Sequence, residues 1–312
     1  MTYKVIAIVG PTAVGKTKLS IEVAKTFSGE IISGDSMQVY KEMDIGTDKI
    51  TAKEMQGIPH YMIDIKEPNE DFSVAEFKTY VQTYIKKISQ RQKLPIIVGG
   101  SGLYIQATLY NYNFTKQKRD RAFTERLKQK IETEGIMPLY NQLKKIDPKQ
   151  AEKIHPNNHR RIIRALEIYE TTGKTMTEHH QAQKQKPSPY QPIFIGLEMD
   201  RDLLYEQINK RVDQMVEKGL LQEVKSLYNR GFKQCQSMKA IGYKEFIPYF
   251  EGQQTLEECI EQLKQNSRRF AKRQYTWFKN KMDVNWYEVH PNQSDKTFQK
   301  ILKDLAGFIN HS

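Results

Sequence analysis

Val5-Ile6-Ala7-Ile8-Val9 runs directly into Gly10-Pro11-Thr12-Ala13-Val14-Gly15-Lys16-Thr17, an apolar stretch followed by the complete pattern G-x-x-x-x-G-K-[ST]. A strand that feeds a glycine-rich turn and then a helix aims backbone N–H groups and a helix N-terminus at one point, where a polyphosphate can sit. Lys16 is placed to reach the outer phosphate oxygens, and the Thr17 hydroxyl to complete the shell of a Mg²⁺ ion. Gly10 through Thr17 therefore reads as a loop for a di- or triphosphate. Which phosphate compound it holds, and whether a phosphoryl group moves, the loop alone leaves open.

Outward from the loop, strand and helix patterns alternate over about the first hundred residues. The pattern predicts a helix over Lys16–Phe27, strands over Glu30–Ser33 and Tyr61–Ile65, a helix over Val74–Gln90 and a strand over Pro95–Val98. Such alternation specifies an α/β fold, a phosphate-loop parallel sheet core wrapped by helices. The last of these strands opens into Gly99-Gly100-Ser101-Gly102-Leu103-Tyr104, a second glycine-rich turn. Ligands in these sheets bind at the carboxyl ends of the strands, so this turn is expected beside the phosphate loop.

The character changes between Lys116 and Lys186, where 17 Lys or Arg face nine Asp or Glu in helical sequence without strand patterns. The whole chain of 312 residues carries a net charge of +12, so this stretch holds two-thirds of it. That concentration predicts an inserted all-helical subdomain facing a polyanion such as nucleic acid, with a solvated lysine-rich face as the plainer alternative. The division expected is residues 1–115 with 190–312 as the catalytic core, and 116–189 as the basic insertion. Lys184-Gln185-Lys186-Pro187-Ser188-Pro189 reads as a linker, since its prolines break helix and its polar residues bury nothing. Beyond it, Ile193–Leu197 reads as a returning core strand, followed by helices over Arg201–Arg230 and Thr255–Lys281.

Cys235 and Cys259 are the only cysteines, which supports neither a disulfide framework nor a zinc site and makes a reduced cytoplasm the expected compartment. His155, His159, His179 and His180 lack cysteine partners and tight spacing, and read as surface histidines. The apolar stretch before the phosphate loop is about eight residues long, too short to cross a bilayer, and no membrane partner is expected.

Common users of a phosphate loop differ in what surrounds it. Asn280-Lys281-Met282-Asp283 spells the guanine-reading N-K-x-D of a GTPase, but follows a basic, aromatic helix near the C-terminus and not a core strand. A motor-type ATPase would end an apolar strand in an acidic residue, whereas Ile96-Ile97-Val98 ends in glycines. The first carboxylate near the loop is Asp35, in Gly34-Asp35-Ser36-Met37-Gln38-Val39-Tyr40. Small-molecule kinases also set an acidic residue beside their acceptor and remain competitors, as does a noncatalytic RNA-binding protein switched by nucleotide.

Seven segments together resemble the bacterial tRNA dimethylallyltransferase (tRNA isopentenyltransferase) family. They are Gly10-x-Thr12-x-x-Gly15-Lys16-Thr17, Asp35 to Tyr40, Gly57-Ile58-Pro59-His60, Gly99 to Tyr104, Arg160-Arg161-x-x-Arg164-Ala165-Leu166-Glu167, Ala240 to Glu245, and Ala271-Lys272-Arg273-Gln274-x-Thr276-Trp277-Phe278. The resemblance implies transfer of a dimethylallyl group from dimethylallyl diphosphate to N6 of the adenine just 3′ of the anticodon (position 37), with release of diphosphate. By it the phosphate loop holds the donor's diphosphate, with Mg²⁺ at Thr17 as the cofactor. It makes Asp35 the base for the adenine amine, sets Ser36, Met37 and Gln38 to grip that adenine, and places the Ser101 hydroxyl between substrate and active site. Thr124, counted among the tRNA-contacting positions, stands where the family carries an arginine for the diphosphate; Arg121 and Arg126 flank it. His159, Arg160, Arg161, Ile162 and Ile163 match a tRNA-contacting segment, and Lys239 and Lys244 are expected to touch RNA too. The partner implied is a tRNA anticodon stem-loop, and the enzyme implied is a monomer.

Overall fold

β1 (Tyr3–Val9) forms around the apolar run Val5–Val9, whose residues are fully buried. A strand buried on both faces reads as a continuous hydrophobic run, and each buried Val or Ile side chain taken from water contributes roughly 1.5–3 kcal/mol. The computed structural model describes residues 2–112, 120–184 and 188–310. The expected linker residues Gln185, Lys186 and Pro187, and Lys116 to Arg119 of the expected insertion, lie outside the described residues.

After β1 come α1 (Lys16–Thr26), β2 (Gly29–Ser33), the single turn α2 (Ala52–Met55), β3 (His60–Tyr61), α3 (Val74–Gln90), β4 (Leu94–Gly99) and α4 (Gly102–Leu109). α3 starts where predicted because Ser73 and Glu76 form a capping box, each satisfying the other's free amide. The chain divides into two compact units, Met1–Tyr110 with Ser188–Ser312, and Asn111–Pro187.

The second unit holds α5 (Arg121–Glu134), α6 (Met137–Ile146), the single turn α7 (Pro148–Ala151), α8 (His159–Thr172) and α9 (Met176–Lys184), with no strand among its described residues. Its own core joins Leu127, Leu139, Leu143, Ile162 and Leu166. The first unit resumes with β5 (Tyr190–Glu198), α10 (Arg201–Glu217), α11 (Leu220–Asn229), the single turn α12 (Ile247–Phe250), α13 (Leu256–Lys281), β6 (Asn285–Glu288) and α14 (Ser294–Asn310).

Six strands pair in the order β3-β2-β4-β1-β5-β6, every neighbouring pair parallel. β1 lies between β4 and β5, and its alternate residues serve two cores: Val5, Ala7 and Val9 on one face, Ile6 and Ile8 on the other. The phosphate loop therefore leaves from the middle of the sheet, at the carboxyl end of β1.

The structure corrects three sequence expectations. The strand expected over Tyr61–Ile65 is confined to His60–Tyr61, because Met62 and Asp64 adopt positive φ (66° and 53°) and turn the chain out of the sheet. The single helix expected over Arg201–Arg230 is two, divided at Gly219, whose φ of 101° belongs to the left-handed region that glycine enters without cost. β6 was not foreseen; its four residues follow the long helix α13 and pair only with β5.

Candidate functional site

The phosphate loop is held from outside as well as by its own turn. The Thr12 amide donates to Gln274 Oε1 on α13 at 2.9 Å, and the Thr12 hydroxyl accepts from an Arg211 nitrogen on α10 at 2.5 Å. The Thr12 amide is thus spent on the protein itself. Arg211 also pairs with Asp48 at 3.3 Å. A cleft of ≈ 650 Å³ opens here, lined by Ala13, Gly15, Lys16, Thr17, Asp48 and Arg211 among others.

Lys16 Nζ donates to the Pro11 carbonyl at 2.5 Å. Its pKa is lowered to about 7, first by burial and then by the nearby Arg211 cation, with Asp35 and Asp48 pulling the other way. Lys16 keeps part of its surface open to the cleft, yet it is packed round by protein closely enough for burial to dominate. In a site this cationic, an arriving diphosphate supplies the missing countercharge.

Across from the loop, Asp35 stands two residues past the end of β2. Its Oδ1 accepts the Met37 amide at 2.8 Å and its own amide donates to Ser33 Oγ at 3.3 Å. Burial pushes the Asp35 carboxyl above the usual carboxylate range, opposed by the Met37 amide and by the charges of Lys16 and Arg211. Like Lys16, it is only partly exposed. Ser101 joins this side: its hydroxyl accepts the Ser36 amide at 3.1 Å and donates to Ser36 Oγ at 3.3 Å. Gln38 spends its amide on the loop beyond. It accepts from Ser33 Oγ at 2.7 Å and donates to the carbonyls of Thr47 and Asp48 at 3.1 and 3.2 Å. Met37 is half-buried and packs against the core.

Lys16, Thr17, Asp35, Ser36 and Ser101 are thus gathered at the carboxyl ends of β1, β2 and β4. Sequence reasoning missed Arg211 altogether and gave Gln274 only as part of a segment that carries the family resemblance, with no role of its own. Arg211 had no local signal, since it lies within an ordinary charged helix and meets Thr12 across 199 positions.

The remaining candidates are distributed differently. Lys239 and Lys244 are exposed on short 3₁₀ turns, while Tyr243 and Glu245 between and beyond them are buried anchors. In the second unit, Thr124 is half-buried on α5, and Arg126 lies over the Phe123 ring at 5.1 Å. His159, Arg160 and Arg161 are exposed in the first turn of α8. Ile162 and Ile163, grouped with them in the sequence, are 0% and 7% exposed and belong to the core of that unit; helical periodicity turns them inward. His179 bonds Thr172 at 3.2 Å, and His155 Nδ1 accepts the Asn157 amide at 3.2 Å. Among the described residues no helix is long and apolar enough to cross a membrane.

Comparison with known proteins places this geometry in context. The model of the family described as IPP transferase matches residues 38–281. The tRNA dimethylallyltransferase of Oceanobacillus iheyensis is 60% identical over 309 residues, covering 99% of this chain and 98% of its own. That of Bacillus cytotoxicus is 57% identical over 304 residues, covering 97% and 95%. Among solved structures, the full-length tRNA isopentenylpyrophosphate transferase of Bacillus halodurans matches with a TM-score of 0.75 at 51% identity, covering 99% of this chain and 97% of the other. A eukaryotic dimethylallyltransferase acting on tRNA matches with a TM-score of 0.86 at 36% identity, covering 99% and 80%.

Proposed function

The chain belongs to the IPP transferase family, and from that membership we propose its reaction: transfer of a dimethylallyl group from dimethylallyl diphosphate to a tRNA, at N6 of the adenine 3′ of the anticodon, with release of diphosphate. The observation that carries this reading is a phosphate-loop cleft lined by Lys16 and Arg211, both of which act electrostatically on a carboxyl group, Asp35, whose pKa is raised by burial.

The diphosphate rests on the amides from Ala13 to Thr17, and Lys16 exchanges the Pro11 carbonyl for a phosphate oxygen. As the carbon–oxygen bond of the allylic ester breaks, negative charge gathers on the leaving diphosphate and positive charge on the allyl carbon. Amides and cations fixed in place before reaction stabilise that charge without reorganising. The adenine amine is a weak nucleophile because its lone pair is delocalised into the ring. Asp35 takes the N6 proton as the new carbon–nitrogen bond forms, and its raised pKa makes it a stronger base than an ordinary carboxylate. The adenine leaves its stack to reach this point, against the surface formed by Ser36, Met37 and Ser101.

The donor set suits Mg²⁺ brought in with the substrate. Thr17 offers an exposed hydroxyl beside Lys16, and no group of three or more His, Cys, Asp or Glu side chains among the described residues forms a closed metal site. Thr17 would hold the ion, and diphosphate oxygens and water would supply the other oxygen ligands that this small hard cation prefers. When bound, Mg²⁺ offsets charge on the departing diphosphate.

RNA is gripped by the exposed arginines of α8 and by Lys239 and Lys244, since a guanidinium bonds phosphate bidentately and stacks on unpaired bases. The enzyme works as a monomer in the cytoplasm on this reading. Incubation with Mg²⁺, labelled dimethylallyl diphosphate and unmodified tRNA, then nuclease digestion and mass spectrometry, tests it. Prenylated adenosine that disappears with Lys16→Ala is expected. ADP formation on a small acceptor with no prenylated nucleoside would overturn it.

A further inference from the structure

We propose that Gln274 is a positioning residue that ties the donor loop to the acceptor turn, and so sets the distance over which the allyl group is transferred; the proposal rests on the reaction given above. Gln274 lies on α13 with 5% of its surface exposed. Its Oε1 accepts the Thr12 amide at 2.9 Å, and its Nε2 donates to the Gly100 carbonyl at 3.1 Å. A carboxamide carries a donor and an acceptor in one plane, and here each is used on a different loop. Glutamate would set an oxygen against the Gly100 carbonyl, and an apolar side chain would leave both backbone groups unpaired.

Both loops lead to the reacting atoms. Thr12 carries Arg211 on its hydroxyl and directly precedes the run of amides proposed for the diphosphate. Gly100 precedes Ser101, whose hydroxyl holds the Ser36 amide next to Asp35. A continuous path from leaving group to base therefore passes through one buried side chain. Transfer needs the reacting atoms about 3–3.5 Å apart and aligned, and a misplacement of about 1 Å can cost roughly a hundredfold in rate. Slack between the two loops therefore shows in the chemical step.

Gly100 supplies a second observation. A Cβ built there falls 1.9 Å from Gln274 Nε2 and 2.9 Å from its Cδ, while the next atom, Gly10 O, is at an ordinary 3.5 Å. Gly100 is not among the glycines of positive φ, so its backbone accepts alanine. The Gln274 carboxamide is what keeps a side chain out of position 100. Gly100→Ala is thus a wedge that displaces the carboxamide without altering Gln274 itself.

The test is a double-mutant cycle read in kcat and KM for prenyl transfer to tRNA, with Gln274→Ala, Gly100→Ala and the double variant. Gln274→Ala and Gly100→Ala are each expected to lower kcat about 10- to 100-fold, with KM for tRNA within about twofold. The double variant should be no slower than Gln274→Ala alone, because the space vacated by the carboxamide receives the new methyl group. Gln274→Met keeps the volume and loses the carboxamide; it should match Gln274→Ala in kcat, and it carries the test if the alanine variant does not fold. Full kcat in Gln274→Met, or losses that multiply in the double variant, would overturn the proposal. Absence of prenylated adenosine with the unaltered protein would instead remove the reaction on which it rests.

Discussion

In the first unit, the residues proposed to act are fixed by hydrogen bonds, some within their own loops and some to groups far away in the chain, whereas in the second the residues proposed to touch RNA stand exposed on one turn of α8. Lys16 lies on the Pro11 carbonyl, Thr12 between Gln274 and Arg211, and Asp35 on the Met37 amide. Arg160 and Arg161 project from a helix whose inner face, Ile162 and Ile163, fills a small core of its own. Bond making needs fixed geometry and charge in a partly dry cleft. Gripping a phosphate backbone needs mainly cations within reach, and tolerates motion. The two regions should therefore fail differently when altered.

The largest loss is expected from Lys16→Ala. Removing a cation from the leaving group should cost roughly 10²- to 10³-fold in kcat, while tRNA affinity by filter binding stays unchanged. Weaker tRNA binding in that variant would erase the distinction between the two regions. Arg160→Ala with Arg161→Ala should do the reverse, raising KM for tRNA about tenfold or more with kcat retained. The slope of log affinity against log salt should become shallower by roughly two, one for each phosphate that the removed guanidinium groups would neutralise. An unchanged salt slope would deny these arginines a role on RNA.

Acidity sharpens the comparison within the first unit. Lys16, lowered to about 7, is a cation below that pH and neutral above it while the site is free. A bound diphosphate raises its pKa, so binding above pH 7 takes up a proton, and donor affinity falls as pH rises from 7 toward the pKa of the complex. Calorimetry near pH 8 in buffers of different ionisation heat should show uptake approaching one proton per diphosphate, roughly the full difference between a neutral and a charged lysine, and none with Lys16→Met. Asp35 has the opposite sign: it must be ionised to accept a proton, so the acid limb of kcat/KM should lie above the ordinary carboxylate range of about 4.

The smallest expected effect on turnover comes from Glu223 on α11. Its carboxylate accepts the amides of Asp44, Ile45 and Gly46 at 2.8 to 3.0 Å and the Tyr243 hydroxyl at 2.6 Å. Glu223→Ala leaves these donors unpaired and should lower stability by about 3 kcal/mol in denaturant titration, with a lesser effect on kcat than on stability.

What was legible in the sequence was local. Strand, turn, cap and helix N-terminus are set by neighbouring residues, and so β1, the phosphate loop and the Ser73 start of α3 could be read from spacing. Asp35 and Ser101 came from motifs whose meaning rests on family resemblance. Arg211 and Gln274 were hidden because they reach Thr12 across 199 and 262 positions, through packing that no periodicity reveals. Ile162 and Ile163 show the converse: a motif proposed to meet a partner also contains buried residues that pack the inner face of its helix. The short edge strands β3 and β6 offered too few residues for a pattern.

The most direct test of the account is single-turnover transfer by Asp35→Asn, with prenyl donor and tRNA both bound before Mg²⁺ is added to start the reaction. A chemical step slowed by roughly 10²- to 10⁴-fold, with tRNA affinity equal to that of the unaltered protein, is the predicted result. A full-rate step would contradict the account, because the carboxylate beside the phosphate loop would then not be the group that takes the proton from the adenine amine.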